Sequence, residues 1–116
     1  MSDLLNLQWE FSQAIADLMQ YAAKLGYGVA VGEFWRTPEQ AQWDVEHGTG
    51  ILNSAHCNKL AADLNLFTPV GTYITDDTGH DKLGAYWKAK GALYAWGGDF
   101  TRRDFNHYSL KYQGVE

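Results

Sequence analysis

Leu4, Leu7, Phe11, Ile15, Leu18, Ala22 and Leu25 recur at intervals of three and four, the apolar stripe of one amphipathic helix. Ser2 or Asp3 can cap its start, and Gly26 is placed to end it in a left-handed conformation. Tyr27 to Trp35 then reads as a strand, rich in Val and aromatics and loosened by Gly28 and Gly32. Thr37-Pro38-Glu39-Gln40 combines a Thr N-cap, a Pro at the first helical position and a Gln at the capping-box position. A short helix should follow to about His47, stopped by Gly48, with a polar, glycine-containing loop over 48–55.

From Leu60 the pattern changes to strict alternation. Leu60, Ala62, Leu64 and Leu66 fall on one side and Ala61, Asp63 and Asn65 on the other, a half-buried strand with Asp63 on its polar face. Thr68-Pro69-Val70-Gly71 is a turn, Thr72-Tyr73-Ile74 a candidate returning strand, and Asp76 to Gly79 a second turn. A helix is expected from about His80 to Tyr94, with Leu83, Tyr86, Trp87, Lys90 and Leu93 near one face, although Gly84 and Gly91 weaken it. A loop after Trp96-Gly97-Gly98 carries Asp104, and His107 to Tyr112 reads as the last strand. The sum is an α+β fold, with helices packed on a small antiparallel sheet.

At 116 residues the chain is expected to be one domain spanning 1–116 and a monomer, and its five Trp, seven Tyr and five Phe can fill a substantial core. No run of about 18 apolar residues suggests a membrane span, and no basic segment leading into an apolar one suggests a signal peptide. The single cysteine, Cys57, excludes an intrachain disulfide and suits a reducing compartment. A formal charge of −5 argues against nucleic acid as a partner and against electrostatic adhesion to an anionic membrane or polymer. Any acidic substrate must therefore be recognised locally, in a cleft.

Two segments carry candidate chemistry. Ser54-Ala55-His56 followed by Asp63 supplies a histidine and a carboxylate, and Asp104-Phe105-Asn106-His107 supplies another of each. Two imidazoles and one carboxylate make a three-ligand zinc set with an open position, and the remaining carboxylate can serve as a proton acceptor. His56 and Asp63 are seven positions apart, so a regular strand would point them oppositely. A bend at Cys57–Lys59 is needed for both to reach one metal.

These segments, with Trp35-Arg36-Thr37-Pro38-Glu39-Gln40, Leu60-Ala61-Ala62-Asp63-Leu64-Asn65-Leu66-Phe67, Leu83-Gly84-Ala85-Tyr86-Trp87 and Ala95-Trp96-Gly97-Gly98-Asp99-Phe100, resemble the zinc peptidases of the D-alanyl-D-alanine carboxypeptidase and L-alanyl-D-glutamate endopeptidase group. They occur in family order, and the chain looks most like the short phage endolysin branch. The resemblance implies the fold that these peptidases share with the Hedgehog signalling domain. It implies Zn²⁺ on His56, Asp63 and His107, with Asp104 as general base in place of the glutamate many relatives use. The expected substrate is the peptidoglycan stem peptide, cut at the L-alanyl-D-glutamate bond. The alternatives are a D-alanyl-D-alanine carboxypeptidase or dipeptidase, and a zinc-stabilised binding module without catalysis. An endolysin is expected to wait in the host cytoplasm and reach the wall after release. Lys59 departs from the pattern, since many members have glycine there.

Arg36 is read as the guanidinium that steadies an oxyanion or clamps a substrate carboxylate, against the alternative of a structural ion pair. Ser54 either contacts substrate or braces its loop. His47 is better explained by a helix C-terminus than as a ligand, while His80 is a candidate for lining the cleft. Cys57 reads as a small buried thiol, and Trp87 and Trp96 as core rather than sugar platforms.

Overall fold

A computed structural model describes residues 2–48 and 54–116. The order of elements is α1 (Asp3–Lys24), β1 (Gly28–Val31), α2 (Pro38–Glu46), β2 (Ala61–Phe67), α3 (His80–Lys88), β3 (Tyr94–Trp96) and β4 (His107–Leu110). Single-turn 3-10 helices at Ala55–Asn58 and Gly97–Asp99 precede β2 and follow β3. The four strands form one antiparallel sheet in the order β1-β2-β4-β3. The expected α+β class is what the chain adopts. The loop expected over 48–55 lies largely outside the described residues.

The Ser2 hydroxyl caps α1 by accepting the Leu5 N–H at 3.2 Å. At the other end Gly26 takes φ +94°. Its N–H reaches Ala23 O and the Tyr27 N–H reaches Ala22 O, at 3.0 and 3.1 Å, the paired bonds of a Schellman motif. Phe11, Ala14, Ile15, Leu18 and Ala22 form the buried face. The stripe read from sequence is right in its middle, but Leu25 beyond the last turn is exposed. Thr37 caps α2 by accepting the Gln40 N–H at 3.0 Å. The Gln40 side chain turns to Asp44 at 2.7 Å rather than closing the reciprocal half of the capping box.

One side of the sheet packs on α1 and α3 through Leu64, Leu66, Tyr108 and Leu110, against Leu18, Leu83 and Trp87. Trp87 is fully buried and donates its indole N–H to Ser109 O at 3.0 Å. Trp96 donates to Phe105 O at 2.7 Å. Both tryptophans are core, as expected. Side chains alternate along a strand, so with Tyr108 and Leu64 in the core the neighbouring His107 and Asp63 point to the other face.

Several boundaries differ from the expected ones. The strand read over 27–35 is β-structure only through Val31, although Gly32 N–H to Asp63 O (2.7 Å) and Asp63 N–H to Glu33 O (2.9 Å) carry the pairing further. The helix expected to Tyr94 stops at Lys88, and Tyr94–Trp96 is a strand. The apolar spacing runs on through Leu93, but the chain turns at Gly91, where the Tyr94 N–H bonds back to Gly91 O at 3.1 Å. Thr72-Tyr73-Ile74 makes only an isolated bridge from Tyr73 to Phe67. The last strand ends at Leu110 rather than Tyr112. No helix among the described residues is long and apolar enough to cross a membrane.

Candidate metal centre and catalytic cleft

His56 reaches the site from the 3-10 turn Ala55–Asn58, not from a strand. Ser54 caps that turn, its hydroxyl accepting the His56 N–H at 3.2 Å. Lys59 then takes the left-handed conformation, φ 59° and ψ 35°, and the chain enters β2. This is the bend expected at Cys57–Lys59. The left-handed region costs a residue with a Cβ about 1–2 kcal/mol, a cost glycine would avoid at this position. The Lys59 ammonium lies over the Trp35 ring, 5.1 Å from its centroid, and the residue lines a groove beside α1 rather than the cleft.

Asp63 and His107 are register partners across β2 and β4. Asp63 Oδ1 is 3.2 Å from His56 Nε2 and 3.7 Å from His107 Nδ1. The two imidazoles meet edge to face with centroids 5.1 Å apart. One donor atom from each of the three residues falls within 4.8 Å of the others, the arrangement a metal ion needs. His56 and His107 are buried, and His56 Nδ1, Asp63 Oδ1 and His107 Nε2 have no hydrogen-bond partner among the described residues. Buried polar atoms left unpaired are costly; a cation between Asp63 and the ring nitrogens that face it, His56 Nε2 and His107 Nδ1, would relieve that cost for Asp63 Oδ1, while His56 Nδ1 faces Glu33 instead. Borderline nitrogen and oxygen donors of this kind suit zinc. Burial pushes the Asp63 carboxyl up, but the adjacent His107 and His56 imidazoles together outweigh it and hold its pKa at about 2. Asp63 is therefore an anion at any physiological pH.

Asp104 is brought to the same cleft by a loop folded back on Gly97. The Gly97 carbonyl accepts the N–H groups of Phe100 (3.1 Å) and Asp104 (2.9 Å). A Cβ on Gly97 would overlap the Asp104 carbonyl and crowd His107 Cβ, so the close approach requires glycine here. The Asp104 side chain is open to solvent at the cleft wall. Partial burial, and next the charge of Asp63, raise its pKa above the ordinary carboxylate value, while His107, His56 and Arg36 oppose the shift.

Arg36, Ser54, His56, Asp63, Asp104 and His107 all line one cleft of about 430 Å³. Every site residue read from the sequence is thus brought together. Arg36 is also an ion-pair partner: its Nη2 is 2.6 Å from Glu33 Oε1 and its Nε 3.9 Å from Asp44 Oδ2. Burial disfavours the guanidinium charge, but the Glu33 hydrogen bond and the nearby charges of Glu33, Cys57 and Asp44 together outweigh it, and its pKa is raised. Ser54 is buried with its hydroxyl on the His56 N–H, so it braces the loop while lining the cleft.

Sequence reasoning missed Glu33, whose carboxylate meets Arg36 and lies 3.5 Å from His56 Nδ1. It also missed Phe100, Arg102 and Arg103 in the cleft wall. The Asp104-to-His107 motif pointed to that loop, but not to which neighbours face inward. Of the other histidines, His47 is exposed at the α2 C-cap, its Nδ1 2.7 Å from Trp43 O. His80 is buried, its Nδ1 2.7 Å from the Tyr108 hydroxyl, and it lines an adjoining hollow that shares Arg103 and Asp104. Cys57 is half-buried, free and outside the metal-ligating group.

Residues 47–110, more than half of the chain, match the family described as D-alanyl-D-alanine carboxypeptidase. No curated protein sequence matches the chain significantly. Among solved structures, the L-Ala D-Glu endopeptidase ChiX of Serratia marcescens aligns with a TM-score of 0.72 at 20% identity, over 88% of this chain and 78% of that one. That likeness is one of fold. With the match running from His47 through β4, and so across His56, Asp63, Asp104 and His107, the chain belongs to the D-alanyl-D-alanine carboxypeptidase family of peptidases.

Proposed function

We propose that this peptidase is a zinc-dependent peptidoglycan hydrolase of the phage endolysin type, cutting a stem-peptide amide at the L-alanyl-D-glutamate bond. The observation that carries the reading is the convergence of His56, Asp63 and His107 with a fourth acidic group, Asp104, in one cleft. His56, Asp63 and His107 would hold the zinc, which supplies Lewis-acid polarisation of a carbonyl and acidification of water.

Asp104 takes the proton of the attacking water and delivers it to the leaving amine. The upward shift of its pKa suits that double role, since a base must also become an acid within one turnover. Arg36, fixed by Glu33, offers its guanidinium to the oxygen that gains charge as the carbonyl becomes tetrahedral. Ser54 holds the His56 loop and presents a polar wall to substrate.

The cleft is sized for a short peptide segment, and its wall sets Arg36, Arg102 and Arg103 beside Asp63, Asp104 and Glu116. A guanidinium in that wall fits a substrate with a carboxylate near the scissile bond. A D-glutamyl residue on the leaving side provides one, and so does the C-terminus of a D-alanyl-D-alanine peptide. The second reading, D-alanyl-D-alanine carboxypeptidase, is favoured by the family's own description. The L-alanyl-D-glutamate bond is preferred on the motif resemblance and on what is stated of the structurally similar ChiX. An endolysin of this kind would be held in the host cytoplasm and act on the wall after release.

Digestion of purified peptidoglycan, with mass analysis of the released termini, tests the proposal. New L-alanine C-termini and D-glutamate N-termini are expected. Release of D-alanine would move the assignment to the carboxypeptidase, and an intact wall with zinc fully bound would favour a binding module.

A further inference from the structure

Glu33 touches two of the three residues that would hold the metal, by different atoms. Its backbone carbonyl accepts the Asp63 N–H at 2.9 Å, and its neighbour Gly32 donates to Asp63 O at 2.7 Å. Its carboxylate Oε1 lies 3.5 Å from His56 Nδ1 and 2.6 Å from Arg36 Nη2. Arg36 closes the circuit, its N–H bonding to His56 O at 3.3 Å. The segment Gly32–Arg36 therefore fixes the backbones of His56 and Asp63 and sets a charged acceptor behind the His56 ring.

The two ring nitrogens of His56 have separate surroundings. Nε2 faces Asp63 Oδ1 at 3.2 Å, and Nδ1 faces Glu33. The ring is buried, and Nδ1 has no hydrogen bond to any described group. At 3.5 Å the Glu33 carboxylate is one small ring rotation away from being its acceptor. A neutral imidazole carries one N–H and one lone pair, and the hydrogen bond made by one nitrogen decides the state of the other. A carboxylate behind Nδ1 places the N–H there and leaves the Nε2 lone pair toward Asp63. Arg36 tethers that carboxylate at 2.6 Å, so that Glu33 does not swing forward to become a ligand itself.

We infer that Glu33 is a positioning residue for the metal centre, fixing the His56 tautomer through Nδ1 while Arg36 holds it in place. The inference rests on the reading of His56 as a zinc ligand. Outer partners of metal-ligating histidines typically contribute about 10–100-fold in metal affinity. Titrating the full chain with zinc against a competing chelator, for wild type, Glu33→Ala, Glu33→Gln and His56→Ala, measures this directly. Glu33→Ala should bind zinc about 10–100-fold more weakly, with Glu33→Gln between it and wild type. Nitrogen-15 NMR of the zinc-loaded wild type should find the His56 proton on Nδ1, protected from exchange, with that protection lost in Glu33→Gln. A merely structural role would lower the melting temperature without moving proton protection or affinity. Wild-type zinc affinity in both Glu33 variants, or the proton on Nε2, overturns the inference and leaves the peptidase reading intact. Wild-type zinc affinity in His56→Ala overturns both. The wild-type spectrum decides the matter even where Glu33→Ala fails to fold.

Discussion

Asp63 and His107 face each other as register partners on antiparallel strands β2 and β4, so the sheet itself brings a carboxylate and an imidazole onto one surface. His56 is the only one of the three expected ligands supplied from outside the sheet, and it arrives on a 3-10 turn braced by Ser54. Two-thirds of the metal set is thus as rigid as the ladder. The geometry that strand pairing alone cannot provide is delegated to one short turn.

Zinc held by His56, Asp63 and His107 should make stability depend on it, since Asp63 Oδ1 is buried with no hydrogen-bond partner among the described residues. Zinc in excess should raise the melting temperature, with a gain of about 2.7 kcal/mol when free zinc is a hundredfold above its dissociation constant. Thermal unfolding with added zinc and with chelator, beside metal analysis, measures it. His56→Ala and His107→Ala should lose both the bound zinc and the zinc-dependent gain.

Gly97→Ala should be disproportionately harmful for one methyl group. The added Cβ collides with the Asp104 carbonyl and crowds His107, so the loop must move, at a cost of about 1–3 kcal/mol. Peptidase activity should fall further than stability alone explains, because Asp104 and His107 shift together. Denaturant unfolding and wall-clearing rate at a temperature where the variant is fully folded separate the two effects.

Lys59→Gly should stabilise the protein. Lys59 sits at φ 59°, where a Cβ costs about 1–2 kcal/mol, while the extra freedom of glycine in the unfolded chain and loss of the contact with Trp35 offset part of it. A net gain of about 0.5–1 kcal/mol in urea unfolding is expected. A loss would show that the lysine's packing on Trp35 outweighs the backbone strain.

His80 gives stability a pH dependence of known sign. Burial lowers its pKa to about 4, against the opposing pull of Asp76, Asp77 and Asp81. The unfolded chain binds its proton near the ordinary value of about 6.5 while the folded chain does not, so stability falls as pH drops from about 6.5 toward 4. Between pH 7 and pH 5 the loss from this group is on the order of 2 kcal/mol. In His80→Gln the pH slope over that interval should flatten accordingly. Unfolding of both proteins in chelator keeps metal release out of the comparison.

The sequence was informative where one physical constraint dominated. The α1 stripe, the Thr37-Pro38 cap, the alternation from Leu60 and the need for a bend before Asp63 each follow from a local rule, and the fold meets each. Tyr94–Trp96 was illegible because three residues cannot display an alternating period and the helical spacing ran on into them. Arg36 and Asp104 were legible from their motifs, but Glu33 was not. Its place beside the cluster comes from strand pairing with Asp63 and from a contact to a histidine 23 positions later. Neither is encoded in local pattern.

The central claim is that this cleft performs hydrolysis with Asp104 as its base, and the most direct measurement is zinc stoichiometry beside wall-clearing rate for wild type and Asp104→Asn. Asparagine preserves the shape of the loop but cannot take the proton. The variant should therefore hold as much zinc as wild type and clear purified peptidoglycan about 10²–10⁴-fold more slowly. An Asp104→Asn protein that clears the wall at the wild-type rate, or a zinc-loaded wild type that does not clear it at all, would contradict the account.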